Sequence, residues 1–271
     1  MKKAIDVSVY LVVLLMLYSF TCIACRKEKP VEPITPVTDT VPKKDSMPVT
    51  DTIPPATMDT TKVVDTAVTP AKEIKFLALG DSYTIGQSVK EDVRFPAQTV
   101  QMLRPENIFV TDLKYIAQTG WTTANLASAI AVQKPATNFD IVTLLIGVNN
   151  QYQGRDQTEY AKQFEELLKH AIVFAGNRKT HVFVLSIPDY SATPFVGSAE
   201  KATVSKEIDD FNAINKKITL QYNIAYIDIT PSTRQAVSDA SLIAYDSLHP
   251  SGKEYRKWAE MLAPAIKAVL K

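Results

Sequence analysis

The feature that most constrains this chain is an alternation that begins at Glu73. Apolar, β-rich runs lie at residues 74–79, 108–116, 141–146, 181–187 and 224–229. Helical patterns fall between and after them, near 95–103, 122–133, 158–174, 205–221 and 252–270. The stretch "YAKQFEELLKHAIVF" shows the helical signal best, with apolar residues at steps of three and four. Ser251 stands where it can cap the last helix, just after Pro250. Strand–helix alternation at this spacing predicts a parallel sheet covered by helices on both faces.

Right-handed crossovers make one doubly wound domain of about 200 residues from such a pattern. For five strands the expectation is a flavodoxin-like three-layer α/β sandwich with strand order 2-1-3-4-5. In that order strand 1 lies between strands 2 and 3, so their carboxyl ends are neighbours. Sites in such sheets form beyond those ends, where strand order reverses. Here the three exits read "GDS", "AQTGWTT" and "IGVNN", each with a glycine: Gly80, Gly120 and Gly147. Taken singly, each glycine only turns the chain. Together they bring polar groups to one crevice.

The polar groups suggest a chemistry. Ser82 follows the first strand, and "YDSLHPSG" near the end of the chain holds Asp246 and His249. Pro250 keeps His249 in extended backbone and so helps aim its ring. Serine, aspartate and histidine form a complete nucleophilic set. His249 would take the proton of Ser82, and Asp246 would hold the imidazole tautomer. Attack on a carbonyl develops an oxyanion, which needs donors already in place. The backbone N–H groups of Ser82 and Gly120 and the side-chain amide of Asn149 are the candidates. Strand 5 should lie at the sheet edge, so residues 231–245 must carry Asp246 and His249 back to the crevice. The other histidines, His170 and His181, fall in a helix and at a strand start.

These blocks resemble those of the SGNH hydrolases, also called the GDSL esterase/lipase family, over residues 74–270. "GDSYTIG" is similar to the first block, "TGWTT" to the second, "GVNN" to the third and "DSLHP" to the last. The resemblance implies a flavodoxin-like fold and hydrolysis of acyl esters without a cofactor. It implies Ser82 as nucleophile, Asp246 and His249 as its partners, and Ser82, Gly120 and Asn149 as oxyanion donors. Tyr83 and Asn150 stand where many members have leucine and aspartate. Tyr83, Trp121, Tyr152, Tyr190 and Phe195 are candidate pocket residues, each with simple packing as the competing reading. The substrate stays open between acylated carbohydrate and lysophospholipid or other lipid esters. Acyl transfer to an alcohol and a non-catalytic binding domain are the other classes.

Several alternatives fail on the residues. The nucleophile elbow of α/β-hydrolases needs G-x-S-x-G, and Thr84 occupies the second glycine position. No Gly-Lys-Ser/Thr follows the first strand, so there is no P-loop. No metal-ligand cluster is visible. The formal net charge is +1 and does not suggest a nucleic-acid partner.

The first 72 residues read differently. Lys2 and Lys3 precede an apolar run from Val7 to Ala24, which ends in "TCIAC". The segment resembles a bacterial lipoprotein signal, which implies cleavage before Cys25, lipidation of that cysteine and a membrane-anchored place in the cell envelope. A redox or zinc pair with Cys22 is the competing reading. Residues 26–72 hold eight of the sixteen prolines and no glycine. They are expected to form a disordered, extended Pro/Thr-rich linker. "PVTDT" occurs twice in it, and its Asp-Ser/Thr steps resemble O-glycosylation acceptors of some bacterial envelope proteins, against compositional drift as the alternative.

Overall fold

The computed structural model of the protein describes residues 70–271. The leader, Cys22, Cys25 and the linker up to residue 69 lie outside the described residues. Among the described residues no helix is long and apolar enough to cross a membrane.

Five parallel strands form one sheet in the order β2-β1-β3-β4-β5. They are β1 (Lys72–Gly80), β2 (Ile108–Ala117), β3 (Ile141–Leu145), β4 (Val182–Leu185) and β5 (Ala225–Ile227). The order is the one expected from the alternation. β3 and β4 are buried throughout, as is the second half of β1. Strands covered on both faces need side chains that tolerate no water, which is why these runs are continuously apolar rather than alternating. β2 and the short β5 are the edges and carry the more exposed residues.

Eight helices are described. Five are long: α2 (Phe95–Leu103), α3 (Thr123–Gln133), α5 (Gln157–Phe174), α6 (Lys201–Gln221) and α8 (Gly252–Leu270). Right-handed crossovers place α2 on one face and α3, α5 and α6 on the other. The packing agrees: α2 packs on α8, α3 on α5, and α5 on α6. Phe95 of α2 meets Trp258 of α8 with ring centroids 5.9 Å apart, and both rings are fully buried. α6 begins at Lys201, earlier than its apolar period suggests, because its first turn is polar and contributes little to the core.

Three helices were not legible: α1 (Ser82–Ile85), α4 (Val148–Tyr152) and α7 (Thr230–Thr233). Each has only four or five residues, too short for a period to show. Two of them start at strand exits and shape the crevice. Ser251 occupies the N-cap position of α8 but does not cap it. Its hydroxyl donates instead to the carbonyl of Ser241 (2.6 Å), tying the helix start to the loop before it.

Candidate active site

The site begins with a close approach at the end of β1. A Cβ on Gly80 would lie 2.1 Å from Thr84 Oγ1 and 2.4 Å from the Leu145 carbonyl oxygen. Only glycine lets β1 turn into α1 while pressed against β3. The side chain of Asp81 caps α1 by accepting from the N–H of Tyr83 (3.0 Å). Ser82 is therefore the first residue of a helix, where the backbone N–H has no partner within the helix itself. Asp81 is completely buried, and its Oδ2 has no hydrogen-bond partner. Burial pushes its carboxyl up to about 7, against the opposing hydrogen bond from Tyr83.

Gly120 follows β2 with φ of +81°, a left-handed conformation that favours glycine. Asn149 belongs to α4, just after β3. Its Nδ2 donates to the carbonyl of Trp121 (3.0 Å). That bond uses one amide hydrogen, fixes the plane of the group and leaves the second hydrogen for another acceptor. Asn150 ties the same two exits together. Its Oδ1 accepts from the N–H of Thr123 (3.0 Å) and its Nδ2 donates to Thr123 Oγ1 (2.7 Å).

The return from the sheet edge depends on buried polar anchors. After β5 the chain passes through α7 and two 3-10 turns, at Arg234–Val237 and Ala240–Leu242. Arg234 Nε donates to Oδ2 of the buried Asp189 (2.8 Å), beyond the end of β4. Burial opposes ionisation of Asp189, yet donation from Ser191, Ser205 and Arg234 outweighs it and holds the carboxyl below its ordinary value. Residues 243–250 then form a loop closed by an antiparallel bridge between Ile243 and Pro250. The N–H of Ala244 donates to the carbonyl of His249 (2.7 Å).

Asp246 and His249 sit in this loop. Asp246 Oδ1 accepts from the N–H groups of Leu248 (3.0 Å) and His249 (2.9 Å). Oδ2 meets His249 Nδ1 at 2.6 Å and accepts from Ser88 Oγ at 2.5 Å. Burial works against the charge, but donation from the Ser88 hydroxyl, from His249 and from Leu248 holds the carboxyl down at about 2. With Nδ1–H committed to the carboxylate, neutral His249 carries its lone pair on Nε2. The ring packs against Tyr83, with centroids 5.1 Å apart.

Ser82, Gly120, Asn149 and His249 line one cavity of about 520 Å³, part of it open to solvent. Tyr83, Tyr152, Tyr190 and Phe195 line it too, along with Val148 and Leu248. Tyr152, Tyr190 and Phe195 form an aromatic cluster with centroids 6.2–6.3 Å apart. Tyr190 is buried and donates from its hydroxyl to Gln151 Oε1 (2.8 Å), whereas Tyr152 and Phe195 are exposed at the mouth. Trp121 is the exception among the pocket candidates. Its side chain lines a separate surface groove, and only its carbonyl serves the site.

Sequence reasoning missed Ser88. It lies in left-handed backbone at φ +67°, uncommon for serine, while bonded to Asp246 158 residues away. No local pattern signals such a contact. Among the described residues no group of three or more acidic, histidine or cysteine residues is placed to hold a metal.

The sequence model of the GDSL-like lipase/acylhydrolase family matches residues 78–257. No curated protein matches the chain in sequence. Several solved structures share the fold. A lipolytic G-D-S-L family protein from Veillonella parvula is 20% identical, with 70% of this chain and 96% of that one covered, at a TM-score of 0.54. The lipase Lip_vut3 from a goat rumen metagenome is 20% identical, with 71% and 97% covered, at 0.57. Axe2, an acetylxylan esterase from Geobacillus stearothermophilus, is 20% identical, with 72% and 95% covered, at 0.52.

Proposed function

The chain belongs to the GDSL-like lipase/acylhydrolase family and is a carboxylic ester hydrolase, and on that premise we propose that it works as a serine esterase through Ser82, His249 and Asp246. One observation carries this reading. Ser82 and His249 line the same cavity as Gly120 and Asn149, while Asp246 holds the far side of the His249 ring.

Ser82 Oγ attacks the ester carbonyl as its proton passes to His249 Nε2. The carbonyl oxygen becomes an oxyanion between the N–H groups of Ser82 and Gly120 and the free hydrogen of Asn149 Nδ2. Asp246 stays ionised and stabilises the imidazolium. The alkoxide then leaves with the proton from His249, and the acyl group remains on Ser82. Water then attacks the acyl carbon as it gives a proton to His249, and His249 passes that proton to Ser82 Oγ as the acyl–oxygen bond breaks and the carboxylic acid leaves. The substrates are acyl esters of carbohydrates or lysophospholipids. The apolar leader ending at Cys25 supports a lipid-anchored enzyme held at the cell envelope by its linker.

Labelling tests the nucleophile without knowledge of the substrate. A fluorophosphonate probe is expected to modify the folded protein once, on the peptide containing Ser82, as read by mass spectrometry. Absence of labelling in folded protein would favour a non-catalytic binding domain.

Ser88 offers a finer test. Its loss removes one of the donors that hold Asp246 below the ordinary carboxylate value of 3.8. A depressed carboxylate keeps its charge until pH falls through the depressed value, so a weaker set of donors lets protonation begin at higher pH. Ser88→Ala is expected to lower kcat by about threefold to tenfold, the worth of roughly one charge-assisted hydrogen bond. The pH at which the charge of Asp246 stops stabilising the fold should move upward, read as an earlier fall of Tm on acidification. An unchanged acid-side Tm profile alongside a lower kcat would make Ser88 a packing residue only.

A further inference from the structure

Beside the proposed active site lies a second concavity, the groove lined by Trp121. It occupies about 800 Å³, much of it open to solvent, between the end of β2 and helix α3. The turn at residues 118–121 is its shared rim with the active site. Thr119 and Gly120 line the cavity on one side, whereas Gln118 and Trp121 line the groove on the other. A ligand that lies across this turn touches both.

The lining has a definite chemistry. Trp121 is a half-buried ring that supplies flat apolar surface, whereas the half-buried Tyr115 ring has the Arg94 guanidinium over it at 5.7 Å. Gln118, Asn125, Ser128 and Gln133 supply neutral hydrogen-bonding groups. Asn125 is held so that it presents donors. Its Oδ1 takes both the N–H (3.0 Å) and the hydroxyl (2.7 Å) of Thr122, which leaves its NH₂ for a ligand. Ser128 donates to the carbonyl of Ala124 (3.0 Å), which leaves its oxygen as an acceptor. None of the nine lining residues carries a charge.

Aromatic faces match the C–H faces of a sugar ring, and amides match its hydroxyls, which both donate and accept. A phosphate or uronate would be met by arginine or lysine, whose charge-assisted bonds are the strong ones. We propose that this groove is a subsite for a neutral oligosaccharide, placing an O-acyl group of the same chain over Gly120 for attack by Ser82. The inference rests on the esterase reading and narrows its substrate to acylated neutral glycans.

Two measurements separate the subsite from the chemistry. In the first, kcat/KM is compared between O-acetylated xylo-oligosaccharide and 4-nitrophenyl acetate. Trp121→Ala is expected to lower that ratio by about tenfold, and Gln118→Ala, on the exposed rim, by about threefold. Trp121→Phe, which keeps an aromatic face, should restore most of the loss. An unchanged ratio in both alanine variants overturns the subsite, as does a wild type that prefers lysophosphatidylcholine or acetylated oligogalacturonide. Failure to cleave any ester, the aryl acetate included, sinks the esterase reading instead.

The second measurement does not need turnover. Xylo-, cello- and chito-oligosaccharide hexamers are titrated into Ser82→Ala protein, and tryptophan fluorescence is followed. Of the two tryptophans, Trp258 is fully buried, so a ligand response reports on Trp121. A saturable change with at least one hexamer is expected. No change with any of the three overturns the proposal.

Discussion

Ser82→Ala is expected to lower ester turnover by about 10⁴-fold or more while leaving the fold intact. The size follows from the loss of covalent catalysis. Without the hydroxyl there is no acyl-enzyme, and only binding and oxyanion donors remain to act on water. The fold should survive because the change removes a single oxygen from a nearly buried side chain at the start of α1. The helix cap belongs to Asp81, and the glycine clearance to Gly80; neither is touched. The measurement is kcat/KM on 4-nitrophenyl acetate, with circular dichroism of both proteins. Wild-type turnover by a folded Ser82→Ala protein would end the nucleophile assignment.

Asp81→Asn is expected to stabilise the protein, and to do so only above acid pH. The carboxyl of Asp81 is raised from 3.8 to about 7 by burial. The sign follows from proton counting. Between those values the folded state holds a proton that the unfolded state has released, so stability falls as pH rises through the window. Above about pH 7 the folded protein carries a buried, poorly solvated charge, costing on the order of 4 kcal/mol. Asparagine keeps the oxygen that accepts from Tyr83 and removes the charge. Its NH₂ would occupy the position of the unpartnered Oδ2, and a buried donor without a partner gives back about 1–3 kcal/mol. The net expectation is a Tm higher by roughly 5 °C at pH 8 and no gain at pH 4. Thermal melts of both proteins from pH 4 to pH 8 check this. A Tm difference that stays flat over that range would show that Asp81 is not the titrating group.

These two neighbours divide the work of the first strand exit. Asp81 shapes the turn at a cost in stability, and Ser82 gains an unpaired backbone N–H and a fixed place in the cavity. The carboxylate that partners the histidine comes from far along the chain. Asp246 keeps its charge because four donors surround it, whereas Asp81 has one backbone donor on one oxygen and none on the other. Two aspartates near the same site thus differ in state because of what surrounds each, not because of their sequence context.

The aromatic mouth and the groove together give the rim of the site an uncharged character. Tyr152 and Phe195 expose rings on one side of the turn at residues 118–121, and Trp121 and Tyr115 line the other. Among the residues lining the two concavities only His249 can carry a positive charge, and the Arg94 guanidinium lies over the Tyr115 ring at 5.7 Å without itself lining the groove.

The sequence by itself determined the sheet and much of the site. Apolar runs such as "FLALG" and "IVTLL" are what strands covered on both faces require, and the long helices announced themselves by period. Strand order was the flavodoxin-like one expected for five strands, and it makes the exits that carry Gly80, Gly120 and Gly147 neighbours. Asp246 and His249 were legible because three-residue spacing and Pro250 constrain a loop locally. What only the tertiary structure decided depends on contacts between distant segments. Arg234 on Asp189 anchors the chain on its return from the sheet edge, and Ser88 reaches Asp246 across 158 residues. Trp121 lines the groove and not the cavity, a choice that no residue pattern records. Local patterns encode backbone periodicity and turn geometry. Which side chains meet is set by packing of the whole domain.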